Sequence, residues 1–202
     1  NLLARFYEPT RGVIALDGID YRERSLNFLQ SNLGVVLQTS HIFAGTVREN
    51  IRYGQLSATD EAIHAAAEAA GAAPMIEQLD QGYDTMIEEG GASLSSGQKQ
   101  LIAFTRALLK DPQILIMDEA TSSVDTLTEK RIEQGLRALL KDRISVIIAH
   151  RLSTIRHADQ ICVLDQGQII EMGRHEDLIA IEGKYHALFM QQSLSNLWQH
   201  QS

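Results

Sequence analysis

The sequence predicts an α/β fold built on a buried parallel sheet. Short continuous apolar runs bounded by turn signals alternate along the chain with helical patterns, the signature of strands covered on both faces. A length of 202 residues with 44% apolar side chains is enough for one compact domain with a real core.

The elements follow in order. "GVIALDGID" reads as a strand and a tight turn at Asp17-Gly18. "LGVVLQ" (Leu33 to Gln38), "ILIMDE" (Ile114 to Glu119) and "ISVIIAH" (Ile144 to His150) are candidate central strands. Between the first two lies a mostly helical insertion. "SATDEAIHAAAEAAG" offers an N-cap at Ser57 or Thr59 and stops at Gly71, and "APMIEQL" restarts with Pro74 in a first turn. "SSGQKQLIAFTRALLKDP" places Leu101, Ile102, Phe104, Leu108 and Leu109 at helical spacing before Pro112. "TEKRIEQGLRALLKD" reads as a further helix, and "EDLIAIEGKYHALFMQQ" as a C-terminal one. "QICVLDQGQIIEMG" reads as a hairpin turning around Asp165 to Gly167 at a sheet edge.

Composition excludes several classes. A net charge of −8 with no basic run or stripe argues against a nucleic-acid surface. No apolar run is long enough to span a bilayer, so direct membrane insertion is not expected, and "NLLARFYEPT" is not a signal peptide. The lone Cys162, within "ICVL", is expected to be a buried structural thiol in a reducing compartment. There is no G-x-S-x-G elbow, and the seven histidines lack metal-ligand spacing.

Ligands of parallel sheets bind beyond the carboxyl ends of the strands. The three candidate strands end in Gln38, Asp118-Glu119 and His150. Any one polar ending is explained by a strand reaching the surface; together they supply a metal ligand, a base and a switchable imidazole. A partly buried Asp118 needs a cation, and Mg²⁺ held through water suits it. Glu119 is then available to orient or deprotonate a water, His150 to donate to a phosphate oxygen, and Gln38 to bridge metal and water. This is phosphoryl-transfer chemistry. The cradle for it, G-x-x-x-x-G-K-[ST], does not occur: the one Gly-Lys pair, Gly183-Lys184, is followed by Tyr185. "LSSGQ" (Leu94 to Gln98) opens a helix, where free N–H groups attract phosphate, although N-capping alone explains a serine there.

Assembled in this order, these residues resemble the nucleotide-binding domain of ATP-binding cassette (ABC) transporters of the exporter branch, over almost the whole chain. "LSSGQ" is similar to the family's signature, "ILIMDE" to Walker B, "SSVD" to the D-loop, "AHR" to the switch histidine and Gln38 to the Q-loop glutamine. The resemblance implies a P-loop NTPase-like core that binds ATP and Mg²⁺, with a helical subdomain carrying the signature. The expected division is 1–40 and 110–202 for the core and 41–109 for the helical part, within a single ATPase domain over 1–202. Asp118 would serve Mg²⁺ together with Gln38, Glu119 would be the catalytic base, and His150 would contact the γ-phosphate. Ser95, Ser96, Gly97 and Gln98 would bind ATP held by the opposite subunit of a head-to-tail dimer, with Asp125 at its seam. The "SHIFAGTVREN" surface after Gln38 would meet transmembrane domains, placing the chain at the cytoplasmic face of a membrane.

Two departures stand out. Ser96 replaces the signature's usual first glycine, a small-for-small change. The family's Walker A loop and its adenine-stacking aromatic lie upstream of a segment resembling "NLLARFYEPTRG", so the expectation is a chain truncated before them, with the N-terminal β part largely missing and Asn1 inside the helix after that loop. Two alternatives remain at this point. One is a non-catalytic piece donating its signature face to a partner domain. The other is a DNA-maintenance ATPase head, which would need long coiled coils that no heptad run here provides.

Overall fold

The structure is a computed structural model that describes residues 1–38, 40–118, 126–149 and 155–199. Contacts divide the chain into two compact units, Asn1–Ile148 and Ala149–Ser202.

The first unit opens with turns, not the helix expected at Asn1: Arg5 takes a left-handed φ of 53°, which a right-handed helix cannot continue through. Strands β1 (Ala15–Leu16) and β2 (Ile19–Asp20) pair antiparallel. Asp17 and Gly18 both have positive φ (52° and 75°), the geometry that matches a two-residue turn to strand twist. Helix α1 (Leu26–Asn32) is capped by Ser25, whose Oγ accepts from the Phe28 amide. It runs directly into β3 (Leu33–Val36).

Strand β3, β6 (Ile114–Asp118) and β7 (Ile144–Ile148) form a three-stranded parallel sheet in the order β3-β6-β7. Leu33 lies opposite Ile114, which lies opposite Ile144, so the three strands start level and their carboxyl ends come out side by side. The middle strand is the most buried, with Leu115, Ile116 and Met117 inside, while β7 keeps Ile144, Val146 and Ile148 exposed on one face. The apolar runs thus give the expected parallel pairing, but full burial belongs to β6 alone. Strand β3 ends at Val36, so Gln38 stands two residues beyond it in a bend.

Between β3 and β6 come β4 (Gly45–Thr46), α2 (Val47–Arg52), α3 (Asp60–Ala69), α4 (Ala73–Glu77), β5 (Met86–Ile87) and α5 (Ser96–Lys110). Thr59 is the N-cap of α3, Gly71 takes a φ of 68° just past its end, and Pro74 sits in the first turn of α4. Helix α5 packs against α2, α3, α6 (Thr126–Leu140) and β3, and buries Leu101, Ile102, Phe104, Ala107 and Leu109. Asp111 ends α5 in the left-handed region (φ 49°), and Pro112 then turns the chain into β6. Here the proline ring crowds β3: a β-carbon on Gly34 would stand 2.5 Å from Cγ of Pro112.

In the second unit, β8 (Ile161–Asp165) and β9 (Gln168–Gly173) form an antiparallel hairpin through Gln166 and Gly167, both at positive φ. Strand alternation turns Ile161 and Val163 inward, so Cys162 faces out. The expected buried thiol is therefore exposed. The C-terminal helix is also two helices, α7 (His175–Ala180) and α8 (Lys184–Gln199). Glu182 at φ 55° breaks the run, and the Glu171 carboxylate caps the new helix by accepting from the Lys184 and Tyr185 amides. His175 Nδ1 lies 2.8 Å from the Tyr185 hydroxyl within a small core of Ile161, Val163 and Leu178.

Gly135 offers a test of packing against propensity. It lies buried within α6, where alanine would gain about 1 kcal/mol of helix propensity. A β-carbon there would stand 2.6 Å from the Ala70 carbonyl and 3.0 Å from the Phe104 ring. Gly135→Ala is expected to lower stability by about 1–3 kcal/mol in urea unfolding, because overpacking outweighs propensity.

Candidate functional site

The parallel register brings Asp118 and Gln38 to one edge. Asp118 is the last residue of β6, half-buried and opposite Ile148, while Val36 of β3 is opposite Met117. Gln38 continues from β3 past that edge and is exposed. Carboxylate and amide oxygens are the hard donors Mg²⁺ takes, and a magnesium ion needs only one or two carboxylates beside water and phosphate. Among the described residues no cluster of three or more metal-ligating side chains occurs. The donor chemistry of Asp118 and Gln38 fits an ion that also takes water and phosphate oxygens. Glu119, Asp125 and His150 lie outside the described residues.

The serines of "LSSGQ" start α5. Ser95 is the N-cap: its Oγ accepts from the Gln98 amide at 3.2 Å, and the Gln98 side chain accepts from the Ser95 amide at 2.8 Å. This reciprocal box satisfies two donors of the helix start. The Ser96 and Gly97 amides have no acceptor within the helix by geometry and point toward its positive end. Ser95 and Ser96 are exposed, Gly97 is buried, and Leu94 anchors the turn in the core.

Helix α5 carries this anion-attracting end away from the sheet. Its last residue, Lys110, donates to the Gln30 and Leu33 carbonyls at 2.7 Å each, at the start of β3. One turn earlier Arg106 reaches the His41 carbonyl, past the end of β3. Ser95 is three turns further up, about 16 Å along the axis. Gln38 and Asp118 thus share an edge, while Ser95 to Gln98 belong to the helical layer.

That layer is stitched to the loop after Gln38. β4 pairs antiparallel with β5, and the Gly90 amide donates to the Ile42 carbonyl at 2.9 Å. Asn50, fully buried, receives the Phe43 amide on Oδ1 and gives its own amide protons to the Phe43 and Thr46 carbonyls. Sequence reasoning passed over Asn50 and Arg106. The signal was an asparagine in the apolar stripe of Val47, Asn50 and Ile51, and an arginine inside "FTRALL".

A groove of about 470 Å³ lies beside this loop, lined among others by Val35, Leu37, His41, Tyr53, Arg106 and Lys110. Phe43 packs on Tyr53 with ring centroids 4.4 Å apart, and Arg106 stands 5.2 Å over the Phe43 ring. Burial lowers the pKa of Arg106 and of Lys110 from their ordinary values.

Comparison with known proteins gives the family. The model of the ABC transporter family matches residues 1–122. The chain belongs to the ABC transporter family. It is 53% identical over 95% of its length to an uncharacterized ABC transporter ATP-binding protein of Bacillus subtilis, covering 32% of that protein. It is 46% identical to an ATP-dependent lipid A-core flippase of Desulfotalea psychrophila, covering 95% of this chain and 34% of the flippase. Among solved structures, a bacterial Atm1-family ABC exporter with ATP bound matches with a TM-score of 0.87 and 44% identity, over 95% of this chain and 33% of the exporter. The chain spans about a third of the length of these relatives. Its fold is that of an ABC exporter's ATP-binding part, a P-loop NTPase-like α/β core with a parallel sheet. No helix among the described residues is long and apolar enough to cross a membrane.

Ser95→Ala is expected to lower stability by about 1 kcal/mol, since the Gln98 amide loses its acceptor, while Ser95→Thr keeps most of it. Urea midpoints of the two variants check this. The Glu49 carboxylate is held below its ordinary range by the Thr46 amide and hydroxyl that donate to it. A depressed folded pKa contributes stability above the unfolded value that is lost as pH falls through the folded one. Glu49→Gln should therefore flatten the acid limb of a stability–pH profile, and leave the limb above pH 5 nearly level.

Proposed function

We propose that the chain is the ATPase part of an exporter, coupling ATP binding and hydrolysis to transport of a substrate carried by transmembrane segments. The observation that carries this reading is the match, over 95% of the chain, to an exporter solved with ATP bound. On this reading Asp118 and Gln38 would hold Mg²⁺, which would neutralise phosphate charge. Glu119 takes the proton of the attacking water, and His150 donates to the γ-phosphate. Ser95, Ser96, Gly97 and Gln98 face ATP on a second nucleotide-binding domain arranged head to tail, with Asp125 at the seam. The separation of the Asp118 edge from the start of α5 supports two nucleotides served by one chain. Residues 41–109 form the helical part, the loop after Gln38 meets the transmembrane domains, and the whole sits at the cytoplasmic face of the membrane.

These 202 residues contain no G-x-x-x-x-G-K-[ST], so the principal phosphate donors are lacking within them. Isothermal titration of this chain with Mg-ATP is expected to show binding weaker than micromolar; a micromolar constant would refute the assignment of phosphate binding to that motif. Adding the chain to a complete ABC nucleotide-binding domain is expected to raise ATP turnover, and Ser95→Arg to abolish the rise. No rise would sink donation in trans. Placed behind a complete phosphate loop, Glu119→Gln should permit ATP-driven dimerisation and cut turnover by about 100-fold or more. Unchanged turnover would remove Glu119 from the role of base.

A further inference from the structure

The Arg106 guanidinium is half-buried and has no carboxylate partner among the described residues. All its hydrogen bonds go to two segments of the chain outside its own helix. Nε donates to the Asn50 carbonyl at 2.8 Å, one terminal nitrogen to the His41 carbonyl at 2.9 Å, and the other to Asn50 Oδ1 at 3.2 Å. The same Asn50 Oδ1 accepts from the Phe43 amide, and Asn50 Nδ2 returns a bond to the Phe43 carbonyl, both at 2.9 Å. The Phe43 ring lies under the guanidinium. Backbone crowding adds to the link, because a β-carbon on Gly54, just beyond α2, would collide with the Arg106 carbonyl. Loop and helix are thus joined through one planar, forked cation that a lysine cannot imitate.

We infer that Arg106 and Asn50 form a joint between the loop after Gln38 and helix α5, so that whatever displaces that loop also displaces the serines at the helix start. Arg106 is a positioning residue. The groove beside it is lined by His41, Tyr53 and Leu37, so an occupant of the groove presses on the loop side of the joint. On the other side the well-packed α5 transmits displacement as a rigid body, three turns up to Ser95. The segment from Met86 to Gly90, which leads to Leu94 and Ser95, is zipped to the same loop through β4–β5 and the Gly90 amide. The functional consequence rests on the proposed role of Ser95 to Gln98 at a nucleotide, whereas the linkage itself does not.

The linkage is measured on the whole chain without nucleotide. In a Cys162→Ser background, which removes the exposed thiol, Ser96→Cys carries a trifluoromethyl label read by ¹⁹F NMR. Tyr53→Ala is the perturbation on the groove side. It is expected to shift the label resonance when Arg106 is present, and the shift is expected to be largely lost with Arg106→Lys. A shift of equal size in both backgrounds, or none in either, would overturn the joint. Should Arg106→Lys fail to fold, hydrogen exchange of the unsubstituted chain decides. The Phe43 amide is expected to be protected to the level of amides in the middle of α5, and exchange at free-loop rates would overturn the joint. Because neither readout involves ATP, a failure here leaves the ATPase reading standing, and a failure of the turnover assay leaves the joint standing.

Discussion

Helix α5 has almost no free side, and the first unit is organised around that constraint. Its apolar residues face α2, α3, α6 and β3 at once. Each large side chain among them contributes about 1.5–3 kcal/mol on leaving water, so sliding or rotating the helix against any one neighbour disturbs the others. The short link through Asp111 and Pro112 ties its end to β6, the middle strand of the sheet. A helix held this way keeps its start in a fixed relation to its end.

The charges divide into two kinds. On the surface, Arg48 pairs with Asp60 and Asp84, and Arg52 with Asp60, in an exposed network across α2, α3 and the turn before β5. Pairs of this sort contribute little individually and fade with salt. Arg106 and Lys110 are different, since their partners are backbone carbonyls and, for Arg106, also Asn50 Oδ1. Losing the cation leaves half-buried backbone acceptors without their donor. The first kind gives solubility and the second gives geometry.

How much of this was legible in the sequence follows from which forces are local. The parallel strands were legible because a middle strand buried on both faces reads as an unbroken apolar run, as in Leu115 to Met117. The start of α3, narrowed to Ser57 or Thr59, the start of α5 at the serines of "LSSGQ" and the turn at Asp17-Gly18 were legible because their geometry is decided within a few residues. Asp118 was legible at the end of β6 from its apolar neighbours alone, whereas Gln38 stands two residues past the end of β3. What failed depended on contacts far along the chain. Cys162 was assigned inward because its run is apolar, but alternation in a two-stranded hairpin turned it out. The C-terminal helix was drawn through Gly183 because the cap that restarts it, Glu171, lies on β9. Asn50 and Arg106 escaped notice because each acquires its role only when the other is folded against it.

The contact between Gly34 and Pro112 joins residues on separate elements, β3 and the turn that enters β6. Proline at 112 fixes how the chain leaves α5, and glycine at 34 makes room for its ring. Neither choice is independent of the other. Along a lineage, a side chain gained at position 34 would meet the ring at 112, so the two positions are tied and the residue at one sets the cost of a change at the other.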